Sequence, residues 1–188
     1  MSERSCIVLI GMAASGKSTV GRELAAAMHL AHLDSDAIIE ATYGARLQYV
    51  TDALGKEAFL DLESAVIRSL NLRRTIVSSG GSVVYRPDAM SHLTEMGVLI
   101  HLDVPLPVIL ERIARKPDRG LAIAPGQTIE ELFAERDQLY RRWAEYSVPC
   151  GGMTVPQTVQ AVLDYLSRVH PELCEVPAEV QLPPVVKS

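Results

Sequence analysis

The segment 11–18 constrains the fold of this chain more than any other part of the sequence, because it reads G-M-A-A-S-G-K-S. The pattern G-x-x-x-x-G-K followed by Ser or Thr is typical of a loop whose backbone N–H groups surround phosphate oxygens. Such a loop joins a buried strand to the N-terminus of a helix, which adds partial positive charge. An apolar run at 6–10 precedes the motif and a helical pattern at 19–28 follows it. The sequence therefore predicts a phosphate-binding loop that holds ATP.

Two side chains of this loop have predicted chemical roles. Lys17 is expected to reach the β- and γ-phosphates, and the hydroxyl of Ser18 is expected to bind the Mg²⁺ that accompanies ATP. The guanine-reading string N-K-x-D occurs nowhere in the sequence, which argues against a GTPase. The predicted ATP-binding residues of the loop are Gly11, Met12, Ala13, Ala14, Ser15, Gly16, Lys17, Ser18 and Thr19.

Two periodicities alternate along the rest of the chain. Short apolar runs predict strands, and apolar residues that recur every three to four positions predict helices. Because the strands are continuously apolar and separated by helices, we expect a parallel sheet covered on both faces, a three-layer α/β domain of about five strands. The predicted strands are 6–10, 31–33, 75–77, 98–102 and 146–150, and the predicted helices include 19–28, 56–70, 129–143 and 157–169.

Length and charge narrow the class of protein. The 188 residues suit one domain, 1–169, followed by a tail at 170–188 in which four prolines interrupt any helical pattern. A net charge of −5 argues against nucleic-acid binding, and no apolar run approaches the roughly 18 residues of a membrane span. We therefore expect a cytoplasmic monomer that acts on small molecules.

Acidic residues and glycines follow the second and third predicted strands, where ligands bind in an open parallel sheet. Asp34 and Asp36 leave the second strand two residues apart, so one can hold Mg²⁺ while the other accepts a hydrogen bond from an acceptor hydroxyl. Helix capping is the alternative role for either carboxylate. Gly80 and Gly81 follow the third strand and either allow a ligand to approach the backbone or form a plain tight turn.

Arginines cluster in two places in a way that suits a small anionic ligand. Arg112, Arg115 and Arg119 lie on or after the helix that follows the fourth strand. The segment 112–127 combines them with prolines and glycines, which predicts a lid over the transferring phosphate. Arg136 belongs to a second basic cluster on the next helix, and one arginine of that cluster is expected to face a substrate anion.

The order of these motifs resembles the shikimate kinase family. The resemblance covers residues 5–168 and rests on G-x-x-x-S-G-K-S, D-S-D-x-I-I-E, G-K-E-A-F, G-G-x-V-V-Y-R-P, R-x-x-R-x-x-x-R and E-R-D-Q-L-Y. It implies a P-loop NTPase fold of the nucleoside-monophosphate-kinase-like type. It also implies the ATP-dependent phosphorylation of shikimate to shikimate 3-phosphate, with Mg²⁺ as the cofactor of ATP.

The resemblance implies roles in the nucleotide-binding half of the site. Lys17 would bind phosphates as a catalytic residue, and Ser18 with Asp34 would serve Mg²⁺. Arg119 would be the catalytic arginine of the lid near the γ-phosphate, and Arg112 would stack on the adenine ring. This half matches the family pattern well, although the lid string R-P-L-L of the family reads R-G-L-A here.

The resemblance also implies how the acceptor is bound. Asp36 would contact the reacting hydroxyl as a catalytic residue. Gly80 and Gly81 would line the acceptor site, and Arg136 would bind the carboxylate of shikimate. The acceptor half therefore keeps an acid, two glycines and one arginine of the family pattern.

Two positions of the acceptor half depart from that pattern. The family usually has an arginine after the phenylalanine of its G-E-x-x-F motif, the second half of a clamp on the carboxylate, and this chain has Leu60 there. Ser82 stands in place of a third consecutive glycine. A charge-assisted hydrogen bond is worth about 1.5–3 kcal/mol, so an uncompensated loss weakens shikimate binding roughly ten- to a hundredfold. Arg46 is the candidate replacement.

Several functions remain open on the sequence. The first is ATP-dependent phosphorylation of shikimate, and the second, favoured by Leu60, is phosphorylation of a different small hydroxy acid, amino alcohol or sugar. The third is a non-catalytic nucleotide-binding regulator, against which the intact Lys17, Asp36 and Arg119 argue. A nucleobase-phosphate kinase is a further option, but its loop usually reads G-K-G-T. ATP consumption that depends on an added acceptor separates the enzymes from the regulator.

Overall fold

A five-stranded parallel sheet forms the centre of the computed structural model, which describes residues 4–115 and 120–175. Every neighbouring pair of strands is parallel, and the order across the sheet is second, third, first, fourth, fifth. The α/β prediction and the five predicted strands are confirmed. The strands are β1 (Cys6–Ile10), β2 (Ala31–Asp34), β3 (Thr75–Ser78), β4 (Gly97–Asp103) and β5 (Tyr146–Pro149).

Helices cover the sheet on both faces. The first helix packs on the seventh and the third packs on the fourth. Because crossovers between parallel strands are right-handed, these two pairs lie on opposite faces. The helices are α1 (Lys17–Met28), α2 (Ser35–Tyr43), α3 (Leu47–Ser69), α4 (Pro87–Met96), α5 (Leu106–Ala114), α6 (Ile129–Trp143), α7 (Val155–Val169) and α8 (Pro171–Cys174).

The main core follows the central strands. All five residues of β1 are fully buried, and β3 is buried along its whole length. Both faces of these strands are covered, so apolar residues follow one another along β1 and in the centre of β3 instead of alternating with polar ones. Full burial of one large aliphatic side chain contributes about 1.5–3 kcal/mol. The carboxyl ends of β1, β2 and β3 are thereby held side by side, and they support the site described below.

A second, smaller apolar cluster lies beside this edge of the sheet. It joins α2, α3 and the segment after α5, and its buried members are Ile39, Val50, Phe59, Leu60 and Ala122. The helix α3 bends within this region because Gly55 has a φ of 74° and a ψ of 170°. The predicted helix 56–70 matches the part after Gly55, and the part before it was not predicted.

The C-terminal region differs in one respect from the prediction of a tail without helix. The helix α7 ends at Val169, but Pro171 begins the short helix α8, since proline is tolerated in a first helical turn. Leu173 of α8 is buried against the core. The rest of the predicted tail, 176–188, lies outside the described residues. Within the described ranges, no helix is long and apolar enough to span a membrane.

Candidate active site

The loop between β1 and α1 curls around the side chain of the lysine that follows it. Lys17 Nζ donates hydrogen bonds to the carbonyl oxygens of Gly11, at 2.8 Å, and Met12, at 3.0 Å. Gly11 and Gly16 have φ values of 145° and 102°, a region that favours glycine. An ammonium group and the N-terminus of α1 are therefore held together, and both attract anions.

Arg112 of α5 also holds the phosphate-binding loop in place by hydrogen bonds. Its Nη1 donates to the carbonyl oxygens of Ala14 at 3.0 Å and Ser15 at 3.2 Å. Ala14 has a φ of 66°, which costs a residue with a side chain about 1 kcal/mol. The bonds from Arg112 stabilise the loop at this strained position.

A cavity of about 270 Å³, here called the first cavity, opens beside this loop at the carboxyl edge of the sheet. It is polar and contains both acidic and basic side chains, as a site for a phosphate and a hydroxylated ligand requires. The sequence-predicted residues that line it are Ala13, Ala14, Gly16, Lys17, Ser18, Thr19, Asp34, Asp36, Gly81 and Arg136.

The two aspartates at the end of β2 and the start of α2 line the first cavity together. Asp34 is also the N-cap of α2, where its Oδ1 accepts a hydrogen bond of 3.1 Å from the backbone N–H of Asp36. The capping alternative is thus realised for Asp34. Capping uses one carboxylate oxygen, so it is compatible with a second partner on the same side chain.

The two glycines after β3 have different surroundings. A methyl group on Gly80 would overlap Glu63 Oε1 and would lie 2.8 Å from Asp36 Oδ1, so any larger residue would force these carboxylates to shift. Gly81 lines the first cavity, and its carbonyl accepts a hydrogen bond of 2.5 Å from the hydroxyl of Tyr140. The space beside Gly80 is therefore filled by the side chains of Glu63 and Asp36, whereas Gly81 lines the first cavity.

Glu63 is a cavity residue that sequence reasoning missed. It is 1% exposed, and its Oε2 accepts a hydrogen bond of 2.6 Å from the hydroxyl of Ser82. Within the part of the chain that the structure describes, its Oε1 has no hydrogen-bond partner. The available signal was the spacing of Glu63 from Phe59 and Ile67, four residues on either side, which places an acid in the apolar stripe of α3.

The environment of Glu63 keeps its carboxyl group partly protonated near neutral pH. Burial raises its pKa from 4.5 to about 7, and the negative charge of Asp36 acts in the same direction. The hydrogen bond from Ser82 and the charges of Arg136 and Lys17 lower the pKa by smaller amounts. The first cavity thus contains an acid that can donate or accept a hydrogen bond.

Arg136 reaches the first cavity from α6 with an almost fully buried side chain, 1% exposed. Its Nη2 donates to the carbonyl oxygen of Ala122 at 2.7 Å, and its Nε lies 3.4 Å from the hydroxyl of Tyr85. A methyl group on Gly81 would lie 3.4 Å from the remaining nitrogen, Nη1. Arg136 is therefore fixed by the protein and presents Nη1 on the side of the cavity-lining Gly81.

Leu60 and Arg46 occupy different environments. Leu60 is 2% exposed and belongs to the small apolar cluster. The helix α3 lines the first cavity through Leu47, Phe59 and Glu63, and Leu60 is not among the lining residues. Arg46 precedes α3 as its N-cap, is exposed, and lines the same cavity as Arg136. The cavity consequently has an arginine that does not come from the position where the family pattern has one.

A second cavity, of about 320 Å³, lies on the other side of the phosphate-binding loop. Ala14, Gly16 and Thr19 line both cavities, so the two spaces meet at the loop. Apolar side chains, among them Val20, Met153 and Val155, form part of the lining of the second cavity, which suits a flat ring system. The other residues that line it are Ser15, Val20, Arg112, Arg115, Cys150, Met153, Val155 and Thr158.

The predicted lid is described only in part. Arg119 lies outside the described residues, so its predicted role stays a prediction. On the described side, Gly120 packs against the start of α3, where a methyl group would lie 3.0 Å from the side chain of Leu47. Ala122 is buried in the small apolar cluster. The segment after the gap is thus attached to α3 and to Arg136.

Comparisons with known proteins agree with this geometry. The family model described as "Shikimate kinase" matches residues 13–167. A shikimate kinase from Thioalkalivibrio sulfidiphilus is 37% identical over 168 residues, which cover 88% of each chain. The structure of shikimate kinase from Acinetobacter baumannii in complex with shikimate superposes with a TM-score of 0.81 at 28% identity, covering 89% of this chain and 96% of that one.

A further solved structure supports the same relationship. The shikimate kinase from Aquifex aeolicus gives a TM-score of 0.72 at 27% identity, covering 87% of this chain and 96% of the other. The family match begins within the phosphate-binding loop, at residue 13, and includes both aspartates at the end of β2 and the helix that carries Arg136. The chain therefore belongs to the shikimate kinase family.

Proposed function

We propose that this protein transfers the γ-phosphoryl group of ATP to the 3-hydroxyl of shikimate. The observation that carries the proposal is the pair of cavities that meet at the phosphate-binding loop. The second cavity would hold the nucleoside, the loop would hold the phosphates, and the first cavity would hold the acceptor. The relative whose structure contains shikimate supports this choice of acceptor.

The residues around the nucleotide would accelerate phosphoryl transfer mainly by electrostatic stabilisation. Lys17 and the N-terminus of α1 would stabilise the negative charge that spreads over the transferring phosphoryl group. Ser18 and Asp34 provide a hydroxyl and a carboxylate on the wall of the first cavity, and oxygen ligands of this kind fit Mg²⁺. Mg²⁺ would there neutralise phosphate charge. Arg119 remains the predicted lid arginine.

The acceptor half would orient the reacting hydroxyl. Asp36 would accept its proton as it attacks phosphorus, and the backbone of Gly81 lets the ring approach closely. Arg136 would bind the carboxylate through those guanidinium N–H groups that are not directed at Ala122, Tyr85 and Tyr140. Glu63 would contact another hydroxyl of the ring.

The identity of the product tests this proposal. Purified protein is incubated with ATP, Mg²⁺ and shikimate, and the product is identified by mass spectrometry and phosphorus NMR as an ester at the 3-position. An analogue with a ketone at that position is the matched control and should yield no ester. A panel of hydroxy acids, amino alcohols and sugars is tested in the same way. If a phosphate ester forms only with one of these acceptors, that compound and not shikimate is the substrate.

The remaining expectations about the whole protein are predictions that accompany the proposal. They are one kinase domain over 1–169 with a lid at 112–127, a cytoplasmic location, a monomeric state and no nucleic-acid partner. Size-exclusion chromatography with light scattering tests the monomer directly.

A further inference from the structure

The position at which the family pattern has its second arginine cannot contribute a cation to the first cavity. Leu60 packs with Phe59, Val50 and Ala122 in the small apolar cluster. In this chain the position therefore supplies packing and no charge, and any second cation must come from elsewhere on the cavity wall.

The protein occupies much of the hydrogen-bonding capacity of Arg136. Its Nε and one N–H of Nη2 are directed at Tyr85 and Ala122, and its guanidinium also hydrogen-bonds the side chain of Tyr140, so only the remaining N–H groups can bind a ligand. A carboxylate has two oxygens that each accept hydrogen bonds, and arginine pairs bind it best when both oxygens are engaged. A second donor on the cavity wall would complete the arrangement.

Arg46 is the arginine on the cavity wall that can supply this donor. Among the residues that the structure describes, its guanidinium makes no hydrogen bond and no ion pair, so a ligand does not have to displace a protein partner. Lys17, the other cation of this cavity, is directed at the loop carbonyls of Gly11 and Met12.

The backbone that carries Arg46 is fixed on both sides. Glu40 Oε1 accepts a hydrogen bond of 2.8 Å from the N–H of Leu47, the first residue of α3. Gly120 packs on the same turn, where a methyl group would lie 3.1 Å from the backbone nitrogen of Gln48. The side chain of Arg46 therefore starts from a held position, although Glu40 is also a cavity-lining acid that competes for it.

We propose that Arg46 is a specificity-determining residue that binds the acceptor carboxylate together with Arg136. The inference rests on the proposed function and adds a residue that the family pattern does not supply. It predicts that the acceptor is a carboxylate-bearing alcohol even though Leu60 has replaced the usual arginine. Leu60 and Arg46 then form a compensating pair.

The test compares Arg46→Ala and Arg46→Lys with the wild type in steady-state kinetics and in calorimetric binding of shikimate. We expect Arg46→Ala to raise the KM and the Kd for shikimate roughly ten- to a hundredfold, with kcat and the KM for ATP within about twofold of wild type. Arg46→Lys should recover part of the loss. The matched control is Arg68→Ala, because Arg68 is an exposed arginine near the other end of α3 and away from the first cavity.

A neutral acceptor separates a direct contact from a structural role. Shikimate methyl ester lacks the carboxylate charge, so its KM should be the same in Arg46→Ala and wild type. An equal loss for the acid and the ester, or no loss for the acid, overturns the inference. If the wild-type protein binds shikimate without phosphorylating it, the proposed function is contradicted, but the Kd values still decide the role of Arg46. If the wild-type protein does not bind shikimate, both the proposed function and the role of Arg46 are overturned.

Discussion

The buried carboxyl group of Glu63 should contribute a stabilisation of the folded state that is lost as the pH rises toward and past neutrality. The side chain is 1% exposed, with Ser82 donating to Oε2 and Asp36 close by across Gly80. Replacement by glutamine keeps the size of the side chain and an oxygen that can accept from Ser82, but it removes the titration. Comparing Glu63→Gln with wild type therefore isolates the cost of the buried charge.

The sign follows from the proton count of the two states. Burial raises the folded pKa of Glu63 from 4.5 to about 7, so between these values the native state holds a proton that the unfolded chain has lost. The unfolding free energy must then decrease as the pH rises through this interval. One pKa unit corresponds to about 1.4 kcal/mol, so wild type should lose about 2–3 kcal/mol from this group between pH 5 and pH 8.

Urea unfolding of the ligand-free protein at a series of pH values measures the effect. The difference in unfolding free energy between Glu63→Gln and wild type should grow by about 2–3 kcal/mol, in favour of the variant, from pH 5 to pH 8. Glu23→Gln, at an exposed glutamate of α1, should follow wild type at every pH. Parallel curves for wild type and Glu63→Gln would refute the reasoning.

Three further predictions concern the first cavity and the packing beside it. Lys17→Ala should lower turnover about a hundred- to a thousandfold, and a full rate in steady-state assays would contradict its assignment to the transferring phosphate. Asp36→Asn should reduce kcat by about a hundredfold or more with unchanged calorimetric affinity for ATP, whereas an equal loss of both would indicate a structural or metal-binding role. Gly80→Ala should destabilise the fold by about 1–3 kcal/mol in urea unfolding because of overlap with Glu63, and the double variant with Glu63→Ala should recover stability.

The sheet could be predicted from the sequence because its signals are local. The apolar runs at β1 and β4 are long. The motif at 11–18 by itself predicts a strand before it and a helix after it. The first part of α3 escaped prediction because Gly55 interrupts the helical period. The short helix α8 was not predicted because proline disrupts a helix interior, whereas Pro171 stands in the first turn, where proline is accepted.

The candidate site could be predicted only where a motif carries its own chemistry. Asp34 and Asp36 could be predicted because they lie at the end of a predicted strand. In the structure they line the same cavity as Lys17. Glu63 lies within an amphipathic helix, and only tertiary packing shows that its carboxylate meets Ser82. Whether Arg46 faces the cavity also depends on how α2 and α3 meet, which no local pattern specifies.

Acceptor-dependent ADP release tests the central claim most directly. ADP formation from ATP and Mg²⁺ is followed in a coupled assay with and without shikimate, and ATP binding is measured in parallel by calorimetry. We expect release that saturates with shikimate concentration and is lost in Lys17→Ala. Tight ATP binding with the same slow ADP release whether or not shikimate is present would contradict the assignment of shikimate as the acceptor.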